Sequence, residues 1–347
     1  MKKRSVSDLL RENIKRMTAY SSARDEFKDA SADMIFIDAN ENPFDTGLNR
    51  YPDPQQSKVK AEISKLRGVS TEHILLGNGS DEVLDLIFRA FCEPKQDSVI
   101  SLPPTYGMYE VLANTNDVGL LEIPLLPSFQ PNVDTILEKQ TAESKLLFLC
   151  SPNNPSSNSF EASRIEKLIQ EFDGIVVIDE AYIDFSNEES WVKMIQEFPN
   201  LIVTQTFSKA YGLAGIRLGI CFASEEIISI LNKIKPPYNV NQLTQDAALK
   251  ALINPEKVQQ EIEIIKSERS LLIEKLKETS IVKKIYPSDA NFLLVEVDDA
   301  DKRYDELIAK GIVVRNRSNQ IQCDNCLRFT VGTPEENREL VNTLKSL

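Results

Sequence analysis

The sequence predicts an α/β fold: a large domain on a mostly parallel sheet covered by helices, then a smaller α+β domain at the C-terminus. Three observations carry that expectation. Short runs rich in Ile, Val and Leu alternate with helical patterns through the first two-thirds of the chain. The alternation breaks at two prolines in KPPYNVNQLT, residues 235–244. At 347 residues the chain is long enough for one large and one small unit, each with a buried core.

The buried strands are read, in order, from HILLGNG, DSVISLPP, KLLFLCSP, GIVVIDEAY, LIVTQTFS and IRLGICFAS. Runs apolar throughout suit strands covered on both faces, and so a parallel sheet. Between them, VLDLIFRAFC, YGMYEVLANT and ASRIEKLIQEF place apolar residues at three- and four-residue spacing and predict helices. After the proline break a long polar helix spans about Pro255 to Thr279, followed by strands in ANFLLVEV, IVVRNR and LRFTVG. The last helix is well signalled: Thr333 as N-cap, Pro334 in the first turn, acids next. The expected division is an N-terminal arm over 1–30, a large domain over 31–245 and a small domain over 246–347.

Composition narrows the function. A net charge of −13 argues against nucleic acid, which needs a basic face. No run of ~20 apolar residues exists to span a membrane. The opening MKKRSVSDLLRENIKRM is basic but lacks the apolar core of a signal peptide, and five scattered cysteines fit a reducing cytoplasm. Cys323 and Cys326 form one lone C-x-x-C without further ligands at suitable spacing, so no metal is expected. The single histidine, His73, precedes an apolar run and reads as a turn or strand-edge residue, which removes most schemes needing an imidazole base.

Polar clusters fall where the predicted strands stop, the place where ligands bind in such sheets. GNGSDEVLDLIF, from Gly77, frees the backbone before a helix and makes a phosphate seat at Gly79–Ser80. It is neither a dinucleotide fingerprint, since Glu82 replaces the third glycine, nor a P-loop. Asn154 precedes a proline in CSPNNPSSN and offers its amide at a strand end. Asp179 closes the run VVID, where an acid is a helix cap or a partly desolvated carboxylate wanting a cation. In TFSKAYGLAGIRLG, Lys209 sits among small and apolar neighbours with Thr206 and Ser208 before it and Arg217 eight positions on. A lysine kept from bulk water loses basicity and becomes nucleophilic.

These residues match one cofactor, pyridoxal phosphate, which needs a lysine for its aldehyde, an acid for its ring nitrogen and a cradle for its phosphate. Lys209, Asp179, and Gly79–Ser80 with Arg217 supply the three. The order of the motifs resembles the fold-type-I aminotransferases from about residue 5 to the C-terminus. RYPDPQ, LGNGSDE, PPTYGMY, SPNNP, DEAYIDF, TFSKAYGLAGIRLG and CLRFTVGT resemble the histidinol-phosphate aminotransferase family in particular. The resemblance implies that Tyr106 stacks on the pyridine ring and that Asn154 and Tyr182 bond its phenolic oxygen. It adds Asp81 to the cofactor residues. It implies a homodimer in which Tyr51 reaches the cofactor phosphate of the other subunit. It implies a substrate site with Arg328 and Arg315 on the phosphate, and with Tyr20 and Asn40.

Two positions depart from the family pattern: Ser157 stands where a glycine is usual, and Ala19 where a proline precedes Tyr20. The implied reaction moves an amino group between histidinol phosphate and 2-oxoglutarate, with glutamate as the second donor, by ping-pong kinetics. Lys209 would serve as its proton carrier and Asp179 as partner of the ring nitrogen. An arginine fork accepts a carboxylate as well as a phosphate. The same residues would therefore serve an aromatic or branched-chain amino-acid aminotransferase, or a threonine-phosphate decarboxylase. A regulator without turnover would need a DNA-binding segment and a basic face, and the chain offers neither.

Overall fold

The computed structural model describes residues 3–20 and 34–347, so the expected arm boundary at residue 30 lies outside the described residues. Two short helices open the chain, α1 (Val6–Leu9) and α2 (Glu12–Arg16), and Ser5 and Asp8 close a capping box on α1. Val6, Leu9 and Ile14 are buried. Helix α3 (Ser57–Arg67) ends on Gly68 at φ 70°, the left-handed cap that glycine accepts most readily.

A seven-stranded sheet follows. Its strands are β1 (Ile74–Asn78), β2 (Ser98–Ser101), β3 (Gly119–Glu122), β4 (Ser144–Cys150), β5 (Ile175–Asp179), β6 (Leu201–Thr206) and β7 (Leu218–Ala223). Between them run α4 (Ser80–Phe91), α5 (Met108–Thr115), α6 (Val133–Lys139) and α7 (Ala162–Glu171). Helices α8 (Glu225–Ile234) and α9 (Gln242–Leu252) come after β7. The strand order is β1-β7-β6-β5-β4-β2-β3. β7 alone runs antiparallel to its neighbours, β1 and β6. The cause is local: only a single 3-10 turn (Ala214–Ile216) lies between β6 and β7, and a parallel return would need a long crossover.

Side chains on the central strands alternate between two apolar layers. Val176 and Ile178 of β5 pack with Ile165, Leu168 and Ile169 of α7 and with α3. Ile175 and Val177 pack on the opposite face with α4, α5, α8 and α1. Both faces are covered, which is why the strands read as unbroken apolar runs.

The long helix α10 (Pro255–Lys277) leads to a four-stranded antiparallel sheet of order β10-β11-β9-β8, where β8 is Val282–Ile285, β9 Phe292–Val297, β10 Arg315–Asn316 and β11 Cys326–Thr330. Helices α11 (Ala300–Ala309) and α12 (Pro334–Lys345) cover it. Thr333 caps α12 with Glu336 in a capping box, as the sequence indicates. The expected strand over IVVRNR shortens to β10, because Gly311 at φ 82° and the bond from Ile312 N to Leu307 O still close the end of α11. A small cluster of Tyr182, Phe185, Ala210, Val258, Ile262, Ala290 and Phe292 joins the two sheets' units.

Candidate active site

Strand direction gathers the site. β1, β4, β5 and β6 end at one edge of the sheet, and β7, running the other way, begins there. A cleft of about 570 Å³ at that edge takes Ser80 and Asp81 from α4, Tyr106 from the turn before α5, and Asn154 from the turn after β4. Asp179 and Tyr182 enter it from the end of β5, and Thr206, Ser208, Lys209 and Arg217 from the loop between β6 and β7. Most residues predicted to hold a cofactor therefore line one cavity.

One end is built for an anion. Gly79 stands before α4 at φ 83° with no side chain capping the helix, so the first amide hydrogens of α4 are left for a ligand. Its φ favours glycine, and a Cβ there would press on Arg217 Nη2 at 2.8 Å. Gly219 is equally constrained: a Cβ would stand 2.3 Å from Ser80 N. Arg217 Nη1 donates to Ser208 Oγ at 3.4 Å, and Thr206 Oγ1 donates to the same oxygen at 3.1 Å. Nη2 of Arg217 lies 3.6 Å from Asp81 Oδ2, whose other oxygen accepts from Tyr106 Oη at 3.1 Å.

The middle of the cleft carries a buried acid. Asp179 is 3% exposed; it accepts from Tyr109 Oη at 2.9 Å and from Ala181 N at 3.2 Å. Burial pushes its pKa up against these bonds, so a cation opposite it would be strongly favoured. Tyr109 is fully buried, stacked on Phe148 with ring centroids 4.7 Å apart. Sequence reasoning missed it, although Tyr106 and Tyr109 stand at the three-residue spacing that shares a helix face. The neighbouring acid, Glu180, points the other way and ties down Ser190 Oγ, Trp191 N and Gln205 Nε2, with burial raising its pKa to about 7.

Lys209 differs from expectation in one respect. The residue is exposed at the mouth of the cleft, and it is its neighbours Phe207 and Ala210 that are buried. The small residues after it sit outside the core because the loop leaves the sheet there. Its pKa is still lowered, first by burial of the ammonium and then by repulsion from Arg328 and Arg217, with Asp179 opposing. Nζ lies 5.7 Å from the centre of the Tyr182 ring.

The small sheet stands beside the cleft, though neither Arg328 nor Arg315 is part of its lining. Arg328 Nη1 donates to Asn154 Oδ1 at 2.6 Å, and the guanidinium sits 5.1 Å from the Phe292 ring centre. Burial lowers the Arg328 pKa to about 10, helped by Arg317 and Arg315. Arg315 is opposite Arg328 in the β10–β11 register and is exposed.

Other predicted residues do not line this cleft in the same chain. Asn40 and Tyr51 line a separate cavity of about 860 Å³ with Arg50 and Gln242. Tyr51 is half exposed and stacks on Tyr238 at 4.5 Å. Tyr20 is 74% exposed. His73 is buried in a single helical turn and its Nδ1 bonds Ala223 O at 2.8 Å, a structural place. Ser157 keeps the turn that a glycine would make: it adopts φ 65°, and its hydroxyl donates to Ser156 O and Pro287 O. Among the described residues, no group of three His, Cys, Asp or Glu is placed to share a metal ion, and no helix is long and apolar enough to cross a membrane.

The donor set fits pyridoxal phosphate. A glycine-floored helix terminus with Arg217, Ser80 and Ser208 suits its phosphate, and an acid sealed from water suits its protonated ring nitrogen. Lys209 at the mouth suits its aldehyde.

Comparison with known proteins agrees with that chemistry. The profile of the family "Aminotransferase class I and II" matches residues 26–344. The chain is 60% identical to the histidinol-phosphate aminotransferase of Christiangramia forsetii over 347 residues, 100% of this chain and 99% of the relative. The fold is shared with the histidinol-phosphate aminotransferase of Clostridium acetobutylicum, at TM-score 0.80 and 24% identity over 86% of this chain and 91% of that one. It is also shared with the Sinorhizobium meliloti enzyme solved with pyridoxal-5'-phosphate, at TM-score 0.78 and 24% identity over 86% and 82%.

Proposed function

Because this chain belongs to the class I and II aminotransferases, we propose that it is a pyridoxal-phosphate-dependent transaminase exchanging an amino group between L-histidinol phosphate and 2-oxoglutarate in histidine biosynthesis. The full-length identity of 60% supports the substrate. The observation that carries the chemistry is the single cleft joining Lys209, Asp179 and the Gly79–Arg217 corner.

Bound there, pyridoxal phosphate supplies an electron sink next to the carbon that bears the amine. Gly79, Ser80, Ser208 and Arg217 would hold its phosphate, with Thr206 orienting Ser208. Tyr106, Asn154 and Tyr182 would hold its ring, Asp179 would keep a proton on the ring nitrogen, and Tyr109 holds Asp179. Lys209 Nζ would take the proton from the amine-bearing carbon of the substrate and pass it to the cofactor carbon bonded to the same nitrogen. Its lowered pKa leaves more of the amine free to do so. Arg328, with Arg315 at its side, binds the distal anion of either substrate.

Two further parts belong to the same proposal. The protein works as a homodimer in which Tyr51 of one subunit contacts the cofactor phosphate of the other; its half-exposed ring supports this. Asn40, on the same segment, would approach the neighbouring subunit's substrate in the same way, as would Tyr20. The working place is the cytoplasm, which five free cysteines, all buried, suit.

The test is twofold. Borohydride reduction of the holoenzyme should fix the cofactor to the peptide containing Lys209, read by mass spectrometry. Steady-state assays should rank histidinol phosphate far above phenylalanine and threonine phosphate. Release of carbon dioxide from threonine phosphate, or a preference for phenylalanine, would overturn the substrate assignment.

A further inference from the structure

Three arginines share one face of the small sheet. Arg315 stands directly opposite Arg328 in the antiparallel register, and directly opposed residues project to the same side. The ladder continues one step: Arg317 N donates to Cys326 O at 2.8 Å. Alternation along the strand then returns Arg317 to the face that carries Arg315 and Arg328. That face looks toward the catalytic cleft, because Arg328 on it reaches Asn154 at 2.6 Å.

Among the described residues, Arg328 is acted on by Arg317 and Arg315, opposed by the Tyr182 hydroxyl, and by no carboxylate. Arg317 is acted on by Arg315, by the Cys323 thiol and by the Tyr182 hydroxyl, the last on the same ring that neighbours Lys209. Nε of Arg317 and Nε of Arg328 are both sealed from solvent without a hydrogen-bond partner. Guanidinium groups held together with buried Nε donors unmatched cost free energy, and an anion between them lowers that cost.

The anion can be specified by its charge. A carboxylate carries one charge and two oxygens, which one arginine fork satisfies. A phosphate monoester carries up to two charges at neutral pH and three acceptor oxygens. Arg328 with Arg315 suffices for the first; a third guanidinium adds most for the second.

We propose that Arg317 is a specificity-determining residue that completes a three-guanidinium cradle for the phosphate dianion of the substrate and contributes much less to the carboxylate of the second substrate. The inference rests on the reading that the amino donor is a phosphate monoester. Arg317 therefore separates the two half-reactions, which otherwise share Lys209, Asp179 and Arg328.

The experiment compares Arg317→Gln, Arg317→Met and Arg317→Lys with the wild-type holoenzyme. For Arg317→Gln and Arg317→Met, KM for histidinol phosphate should rise ~10- to 100-fold, the range of a lost charge-assisted fork. KM for glutamate should rise ~3-fold or less, and Arg317→Lys should recover part of the phosphate effect. Inorganic phosphate, added to holoenzyme as a competitor of histidinol phosphate, should inhibit the Gln variant more weakly than the wild type. Equal losses for both substrates would mean that Arg317 only supports the sheet, and unchanged KM values would mean that it faces away; either overturns the proposal. The two readings fail separately: a wild type that handles histidinol as well as its phosphate refutes the donor assignment, whatever Arg317 does.

Discussion

Removing one hydroxyl, with Tyr109→Phe, tests how Asp179 is held. The ring's packing against Phe148 survives, and the 2.9 Å bond to the buried carboxylate is lost. A hydrogen bond to a charged group contributes about 1.5–3 kcal/mol, and one pKa unit corresponds to about 1.4 kcal/mol. Asp179, already raised by burial, should rise further, because the lost bond favoured its ionised form. Its hold on a cation weakens by the same free energy, so kcat/KM for histidinol phosphate should fall ~10- to 100-fold. Asp179→Asn removes the charge itself and should cost ~10³-fold or more. The decisive measurement is the double variant. If Tyr109 acts through Asp179, adding Tyr109→Phe to Asp179→Asn should change kcat/KM by less than ~3-fold. A further 10-fold or larger drop in the double variant would refute the coupling and give Tyr109 an independent role. A Tyr109→Phe enzyme within ~2-fold of wild type would refute the magnitude.

Substitutions at three other positions test further contacts. Arg328→Lys keeps a charge but not the fork, so histidinol phosphate and glutamate should both bind ~10- to 100-fold more weakly in steady-state kinetics, with histidinol much less affected. At position 157, alanine keeps the left-handed backbone and loses the hydroxyl bond to Pro287 O, whereas glycine also relieves the backbone. By urea unfolding, Ser157→Gly should therefore be more stable than Ser157→Ala by about 1 kcal/mol. Lys60 is 6% exposed, and burial, with Lys235 beside it, lowers its pKa to about 8. The unfolded chain keeps its proton up to about pH 10.5, so this group's contribution to stability rises between pH 8 and 10.5. Lys60→Met should abolish that rise and stabilise the protein at pH 7 by up to roughly 3 kcal/mol.

Local signals made much of this molecule legible. The central strands were readable because burial on both faces imposes unbroken apolar runs, and α12 because Thr333, Pro334 and Glu336 spell out its start. The site was readable where one motif carries several of its atoms, as around Gly79, Asp179 and Lys209. Strand β3, with a half-buried and exposed pattern, gave no such run, and the two residues of β10 are too few for a period. Tyr109 acts on a partner far along the chain: 70 residues separate it from Asp179. Spacing within a motif cannot encode such a meeting; the register of the sheets does. The exposure of Lys209 was missed for a related reason, since small neighbours signal close approach without saying from which side.

The antiparallel return of β7 sets a rule about chain length. Lys209 leaves β6 and Arg217 enters β7, so the stretch between them is clamped at both ends by the Thr206–Gly219 pairing. Adding or removing one residue moves the chain by about 3.8 Å. Next to either anchor, that step is enough to move Lys209 or Arg217 out of the cleft lining; in the exposed middle of the loop it can be taken up outward. Near its anchors the stretch works as a ruler whose marks are counted in residues. Its letters are not all free either: Gly212 stands at φ 63°, where glycine is favoured, and Ala214 lines the cleft, while nothing stands near Gly215.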